Sequence, residues 1–295
     1  MSDTRTASRR LLEPAEWSAR EELHRQRTDA FLRPHEERAR RGQPHPVWDF
    51  LFTYYSLKPR HLRRWHPGFG VGLRAADHFL GRSGYGMRDG VVGVTDEHLA
   101  DRLDTVEFIA GLLDATASRP ARLNCFGLHE WAMVYRAGRP RHDRVPLRLG
   151  PAGTDAVVES MPLRCSHFDA YRFFTPEAVV RNGDALSRRN QAAHEQPGCV
   201  HANMDLYKWS YKLGPLVESE LLMDCLDLAA EARMLDMQAS PYDLAGYGIA
   251  AIEIEGAAGR AEYVRIQQDI ARRGAPLRDR LLARCRALLA DGGRR

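Results

Sequence analysis

Residues 219–237 constrain the fold more than any other stretch. Their apolar side chains recur at helical spacing, which makes this the clearest amphipathic helix of the chain. A second helical period spans residues 95–116. There Leu99, Leu103, Val106, Ile109, Ala110 and Leu113 share one face, and Thr95 or Asp96 stands at the start as a cap. Two such stripes must be buried against other elements, so the body of the protein is expected to be helical. Residues 145–149, 155–159 and 249–255 are short β-rich pieces. Residues 164–174 alternate as a strand does, with Cys165, His167, Asp169 and Tyr171 on one side. The expected class is α+β, mainly α: a single helical domain with a few short strands.

Residues 1–43 read as a charged, helical N-terminal lead-in, and residues 44–295 as one catalytic domain. The lead-in carries few apolar residues (Trp17, Leu23, Phe31, Leu32), and Pro34 is expected to break its helix. Residues 44–55 open on proline and fill with aromatics, as a buried helix would. A short basic helix follows, stopping at Pro67-Gly68. The glycine-rich residues 68–93 contain an isolated Gly68-Phe-Gly-Val-Gly72. No strand precedes it, so the segment reads as a loop or a small irregular subdomain rather than a dinucleotide site. Residues 122–135 suit a helix that sets Cys125, His129 and Met133 on one face. Residues 182–196 are polar and loop-like, and Asn203 can cap a helix running to Lys212. Two helices, separated at Pro276, close the chain.

Composition narrows the function classes. The 295 residues are 44% hydrophobic, enough for a sizeable core, and no apolar run is long enough to span a membrane. The N-terminal residues are polar, unlike a signal peptide, so the expected compartment is the cytoplasm. Five cysteines in a chain of this length do not suggest a disulfide framework. The net charge is +4, carried mostly by arginine, since only Lys58, Lys208 and Lys212 are lysines. That balance admits a polyanionic partner such as DNA without requiring one.

Chemistry concentrates in three segments that pair cysteine with histidine: Cys125 to His129-Glu130, Cys165-Ser-His167-Phe-Asp169, and Cys199-Val-His201-Ala-Asn203. His129, His167 and His201 are candidate ligands for one transition-metal ion (Zn, Fe or Mn), with Glu130, Asp169 or Asp205 supplying a carboxylate. The same acids and imidazoles are candidates for proton transfer. Trp131, Tyr171, Phe173, Tyr207 and Trp209 are candidate walls of a base or substrate pocket. Arg60, Arg63 and Arg64 are candidate phosphate contacts, with Trp65 beside them to stack on a base.

The strings HPVWDFLFTYYSLKPRHLRRWHPG, CFGLHEWAMVYR, RCSHFDAYRFF, GCVHANMDLYKWSYKL and LDMQASPYDL resemble an actinobacterial family commonly labelled 3-methyladenine DNA glycosylase. The resemblance runs from about residue 44 to the C-terminal helices. It implies hydrolysis of the N-glycosidic bond of an alkylated adenine extruded from DNA. The cationic base would lie among aromatic faces, and Asp169, Asp205 or Glu130 would stabilise the sugar cation. The alternative expectation from the residues is a His/carboxylate metalloenzyme, oxygenase-type or hydrolytic, acting on a small molecule.

Overall fold

The computed structural model describes residues 10–55, 57–138 and 145–293; residues 1–9 of the expected lead-in lie outside them. The fold is α+β and mainly α. Six helices of more than ten residues stand out among the described residues: α1 (Pro14–Arg40), α2 (Leu103–Ala117), α3 (Gly150–Ser160), α4 (Val200–Lys212), α5 (Ser219–Gln238) and α6 (Ala257–Gly292). None of the helices among these residues is long and apolar enough to cross a membrane.

Helix α5 is the axis of the body. It is buried around most of its circumference, with Leu221, Cys225, Leu226, Leu228, Ala229, Ala232 and Leu235 all in the core. Each leucine removed from water there contributes roughly 2 kcal/mol. Helices α4, α6 and α1 pack against α5. Helix α4 meets α6 closely at Gly274, where a Cβ would come within 2.0 Å of Asn203 Oδ1. Arg278 Nη2 donates to that same Asn203 oxygen at 2.8 Å. Asn203 therefore lies inside α4 rather than at its cap, which is Cys199.

The glycine-rich stretch is a sheet, not an irregular loop. Strands β1 (Arg10–Leu12), β2 (Val71–Arg74), β3 (Tyr85–Arg88) and β4 (Val91–Val94) lie in the order β1-β2-β4-β3. β1 runs parallel to β2, while β4 is antiparallel to both β2 and β3. Asp89 and Gly90, both at positive φ, make the tight β3–β4 turn. Gly72 pairs with Gly93, and a Cβ on Gly72 would fall 2.5 Å from Val91 Cγ1, so only glycine fits there.

The N-terminal helix does not break at Pro34. It runs continuously, with Trp17 and Leu32 buried. Ion pairs hold it to α5: Arg20 with Glu220 at 2.8 Å, and Arg27 with Asp224 and Asp227 at 3.0 and 2.6 Å. Helix α6 likewise continues through Pro276, with buried residues on both sides (Ile270, Leu281, Cys285) anchoring it. A proline inside a helix costs about 3 kcal/mol, which tertiary burial on this scale offsets.

Other expectations shift in type. Residues 155–159 belong to helix α3, with Val157 and Val158 packed into the core despite their β-branching. Residues 164–174 do not form a strand; they contain the one-turn helix Phe168–Tyr171, preceded by a single bridge from Leu163 to Asn182. Residues 249–255 carry no strand, and 145–149 only the bridge from Leu147 to Tyr242. Residues 95–116 are split into Asp96–Ala100 and α2, with Thr95 capping through His98 N as expected. Residues 44–55 hold only the short helix Phe50–Thr53. In 122–135 the helix is confined to Leu128–Ala132, since Phe126 and Gly127 adopt positive φ.

Candidate functional site

The central histidines meet where α4, α5 and the short helices Leu128–Ala132 and Phe168–Tyr171 converge. The His129 and His201 ring centroids are 4.5 Å apart, edge to face, and those of His167 and His201 are 5.3 Å apart, stacked. All three imidazoles are buried. His201 and Asp205 lie four residues apart on α4, one above the other on one face. Arg233 and Asp236 lie three apart on α5, on the side that meets them.

Two buried triads result. In the first, His129 Nε2 donates to Asp236 Oδ1 at 2.5 Å, and His201 Nε2 lies 3.9 Å from Asp236 Oδ2. Arg233 Nη1 donates to Asp236 Oδ2 at 2.8 Å and to Glu130 Oε1 at 3.0 Å. In the second, His167 Nε2 lies 3.2 Å from Asp205 Oδ2 and 3.5 Å from Glu195 Oε1. In each triad one ligand atom per residue falls within 4.8 Å of the others, a spacing from which a metal ion can be grasped.

Around them stands a charged network. Lys208 Nζ donates to Asp205 Oδ2 at 2.8 Å and to Asp169 Oδ2 at 2.6 Å. Arg188 reaches Asp169 Oδ1 at 2.6 Å, and Tyr55 donates its hydroxyl to Asp205 Oδ1 at 3.2 Å. Five carboxylates are buried here: Glu130, Asp169, Glu195, Asp205 and Asp236. Lys208 and Arg233 are the cations that touch them from within, and Arg188 and Arg172 reach Asp169 from the surface. The balance stays negative unless histidines are protonated or a cation is bound.

The titration directions follow from this layout. Burial works against Asp236 as an anion, but His129, His201 and Arg233 together hold its carboxyl far below the usual range. Burial opposes charge on His129 as well, and the Asp236 contact overrides it, raising the imidazole well above its ordinary value. His201 is different: burial, with His129 and His167 as neighbours, pushes it down to about 3 against the pull of Asp236. It is a neutral imidazole at physiological pH, the form that binds a metal or accepts a proton. For His167, burial is outweighed by Glu195 and Asp205. Burial raises the Glu130 and Glu195 carboxyls.

Next to the first triad is a cavity of about 260 Å³. Its polar wall includes Glu130, Asp169, His201 and Arg233, and its apolar wall Phe50, Tyr54, Met133 and Phe173. Phe50 and Tyr54 stack at 4.6 Å, and the Arg233 guanidinium lies 3.9 Å over the Phe50 ring. A separate void of about 10 Å³, room for a single water, lies behind the histidines. Cys125, Cys165, Cys199, His167, Tyr263 and Gln267 are among its walls.

The expected site residues thus divide. His129, His167, His201, Glu130, Asp169 and Asp205 come together. Of the aromatic candidates, Phe173 lines the cavity. Trp131 is core, donating from Nε1 to Ala239 O at 2.7 Å. Tyr171 packs on Phe174, Tyr207 is buried edge-on to Tyr55, and Trp209 meets Phe108. These four are not among the cavity walls.

The basic cluster also needs correction. Trp65 is 0% exposed, donates to Glu220 Oε1 at 3.1 Å and lies under Arg20, so it has no face for a base. Arg63 is engaged by Glu36 at 2.6 Å and Asp29 at 3.5 Å. Arg60 and Arg64 are exposed.

The cluster also includes Asp236, Arg233 and Glu195, and the cavity Phe50 and Tyr54, none of which stands in a local His or Cys motif. Asp236 and Arg233 did leave a sequence signal: two charges that fall among the buried positions of α5, a helix enclosed on most sides rather than on one apolar face. The chain matches no protein-family model, no curated protein and no solved structure.

Proposed function

We propose that the chain is a His/carboxylate-dependent metalloenzyme acting on a small molecule held in the 260 Å³ cavity. One observation carries this reading: His129, His201 and Asp236 are buried within ligand distance of one another, and His201 is also a wall of the cavity. Two imidazoles and one carboxylate suit Zn, Fe or Mn. A cation held by His129, His201 and Asp236 would supply Lewis acidity toward a substrate oxygen. The residues of the chain do the rest. Phe50, Tyr54 and Phe173 exclude water, Arg233 fixes Asp236 and Glu130, and Glu130 faces the cavity as a group able to exchange a proton. Elemental analysis of the purified protein is the test. Stoichiometric Zn, Fe or Mn that is removed by chelator, with a fall in melting temperature, is the expected result. Protein that holds no metal and does not respond to added Zn, Fe or Mn refutes the reading.

A glycosylase acting on alkylated adenine is the second reading, favoured by the aromatic residues that line the same cavity as Glu130 and Asp169. It draws nothing from Trp65, which is sealed in the core. It predicts DNA binding that weakens steeply with salt and release of methylated adenine from duplex. Alkylated duplex left intact by both metal-free and metal-loaded protein eliminates it.

A further inference from the structure

We infer that His167, Glu195 and Asp205 form a second divalent-cation site beside the first, so that the centre is dinuclear. The inference rests on the metalloenzyme reading above and extends it to a second ion.

Three observations meet here. The first is the geometry of the second triad: three buried side chains from three separate segments offer one nitrogen and two oxygens, all within 4.8 Å of one another. This is a harder donor set than the first triad and suits Mn, Fe, Co or Zn with open positions left for water or substrate. The second is spacing. His201 serves one triad and Asp205 the other, and they lie four residues apart on α4, a rise of about 6 Å. The stacked His167 and His201 rings also adjoin, at 5.3 Å. Side chains from one helical turn thus set the two triads side by side.

The third observation concerns the far side of His167. Its Nε2 faces the two carboxylates, while its Nδ1 is buried with no hydrogen-bond partner. A metal-binding imidazole needs a partner at its other nitrogen to fix its orientation. His167 is also a wall of the water-sized void, as are Tyr263 and Gln267, whose Oη and Oε1 are likewise buried without partners. One water in that void would satisfy these atoms together and orient the ring from behind.

Lys208 sets the terms of competition. Its ammonium holds Asp205 Oδ2 at 2.8 Å but also Asp169 Oδ2 at 2.6 Å. A cation between His167, Glu195 and Asp205 therefore competes with Lys208 for Asp205 Oδ2.

The test uses the full chain, stripped of metal and titrated with Mn(II). The expected result is two Mn per chain after desalting, with the electron paramagnetic resonance signature of a coupled pair. Glu195→Gln is expected to keep one Mn and lose the coupling, and Asp236→Asn to keep one Mn at the other site. A wild-type stoichiometry of one, abolished by Asp236→Asn, overturns the second site and leaves the metalloenzyme reading intact. No bound Mn, Fe, Co or Zn in the wild type overturns both. Two Mn that persist in Glu195→Gln also overturn the assignment. The wild-type stoichiometry and spectrum decide the matter even if a variant fails to fold.

Discussion

Asp236 is the residue on which the buried network turns. It accepts from His129 and Arg233, and no water reaches it. Asp236→Asn removes the negative charge and leaves Arg233 and His129 without their counter-ion. Breaking a buried pair from one side costs about 3–5 kcal/mol. A fall of that size in unfolding free energy, read from urea denaturation of metal-free protein, is expected. A loss below 1 kcal/mol refutes the account.

His66 lies outside the site and sets a pH limit. Burial, with Arg82 nearby, lowers its imidazole to about 3, and it pairs with the Tyr85 hydroxyl at 2.8 Å. In the unfolded chain the same group titrates near 6.5. The unfolded state therefore binds a proton that the folded state refuses, and stability falls as pH drops from about 6.5 toward 3, by at most about 1.4 kcal/mol per unit. Above 6.5 this group contributes no slope. His66→Asn should flatten the pH dependence of the urea midpoint between pH 6.5 and 5 relative to wild type. Parallel slopes in the two proteins contradict the assignment.

At this scale the sequence disclosed the histidines and three of the acids, because they stand in short motifs. Glu195 gave no sign, since a polar loop and a buried polar shell have the same composition. Arg233 and Asp236 were readable only as charges where a helix should have been apolar.

Among the elements, α4 and α6 approach closely at Gly274. Gly274 has no room for a methyl group against Asn203, and Arg278 depends on that Asn203 oxygen. Gly274→Ala should push α6 away from α4 and cost about 1–3 kcal/mol, despite alanine's better helix propensity. Thermal melting tests this, and an unchanged or raised midpoint would exclude the close approach. The element types that were legible in sequence were those with long helical periods. Pro34 and Pro276 misled because local rules weigh one lost hydrogen bond and cannot see the burial on either side. Val157-Val158 misled in the same way, tertiary packing overriding a β-rich pair. The four-residue strands of the sheet were hidden by glycines, which look like loop until Gly72 and Gly93 face each other.

Taken whole, the molecule ties its N-terminal segment into its centre. Leu12, Trp17 and Leu32 are buried, at about 2 kcal/mol each, and β1 completes an edge of the sheet. Removing residues 1–41 takes away roughly 6 kcal/mol of burial, comparable with the entire stability of a typical domain. The truncated chain is expected to aggregate or to melt without a cooperative transition, as seen by size exclusion and calorimetry. A monodisperse, cooperatively folding product would establish the segment as separable.

The same attachment governs how the chain is made. Arg27 finds its carboxylate on Asp227, 200 residues further along. At ribosomal speeds of about 5–20 residues per second, the first helix emerges roughly 10–40 seconds ahead of the surface that will cover it. During that wait its tryptophan and leucine are open to any passing chaperone or nascent neighbour. Yield in a foreign host should then depend on translation tempo and chaperone supply more than on the stability of the finished protein.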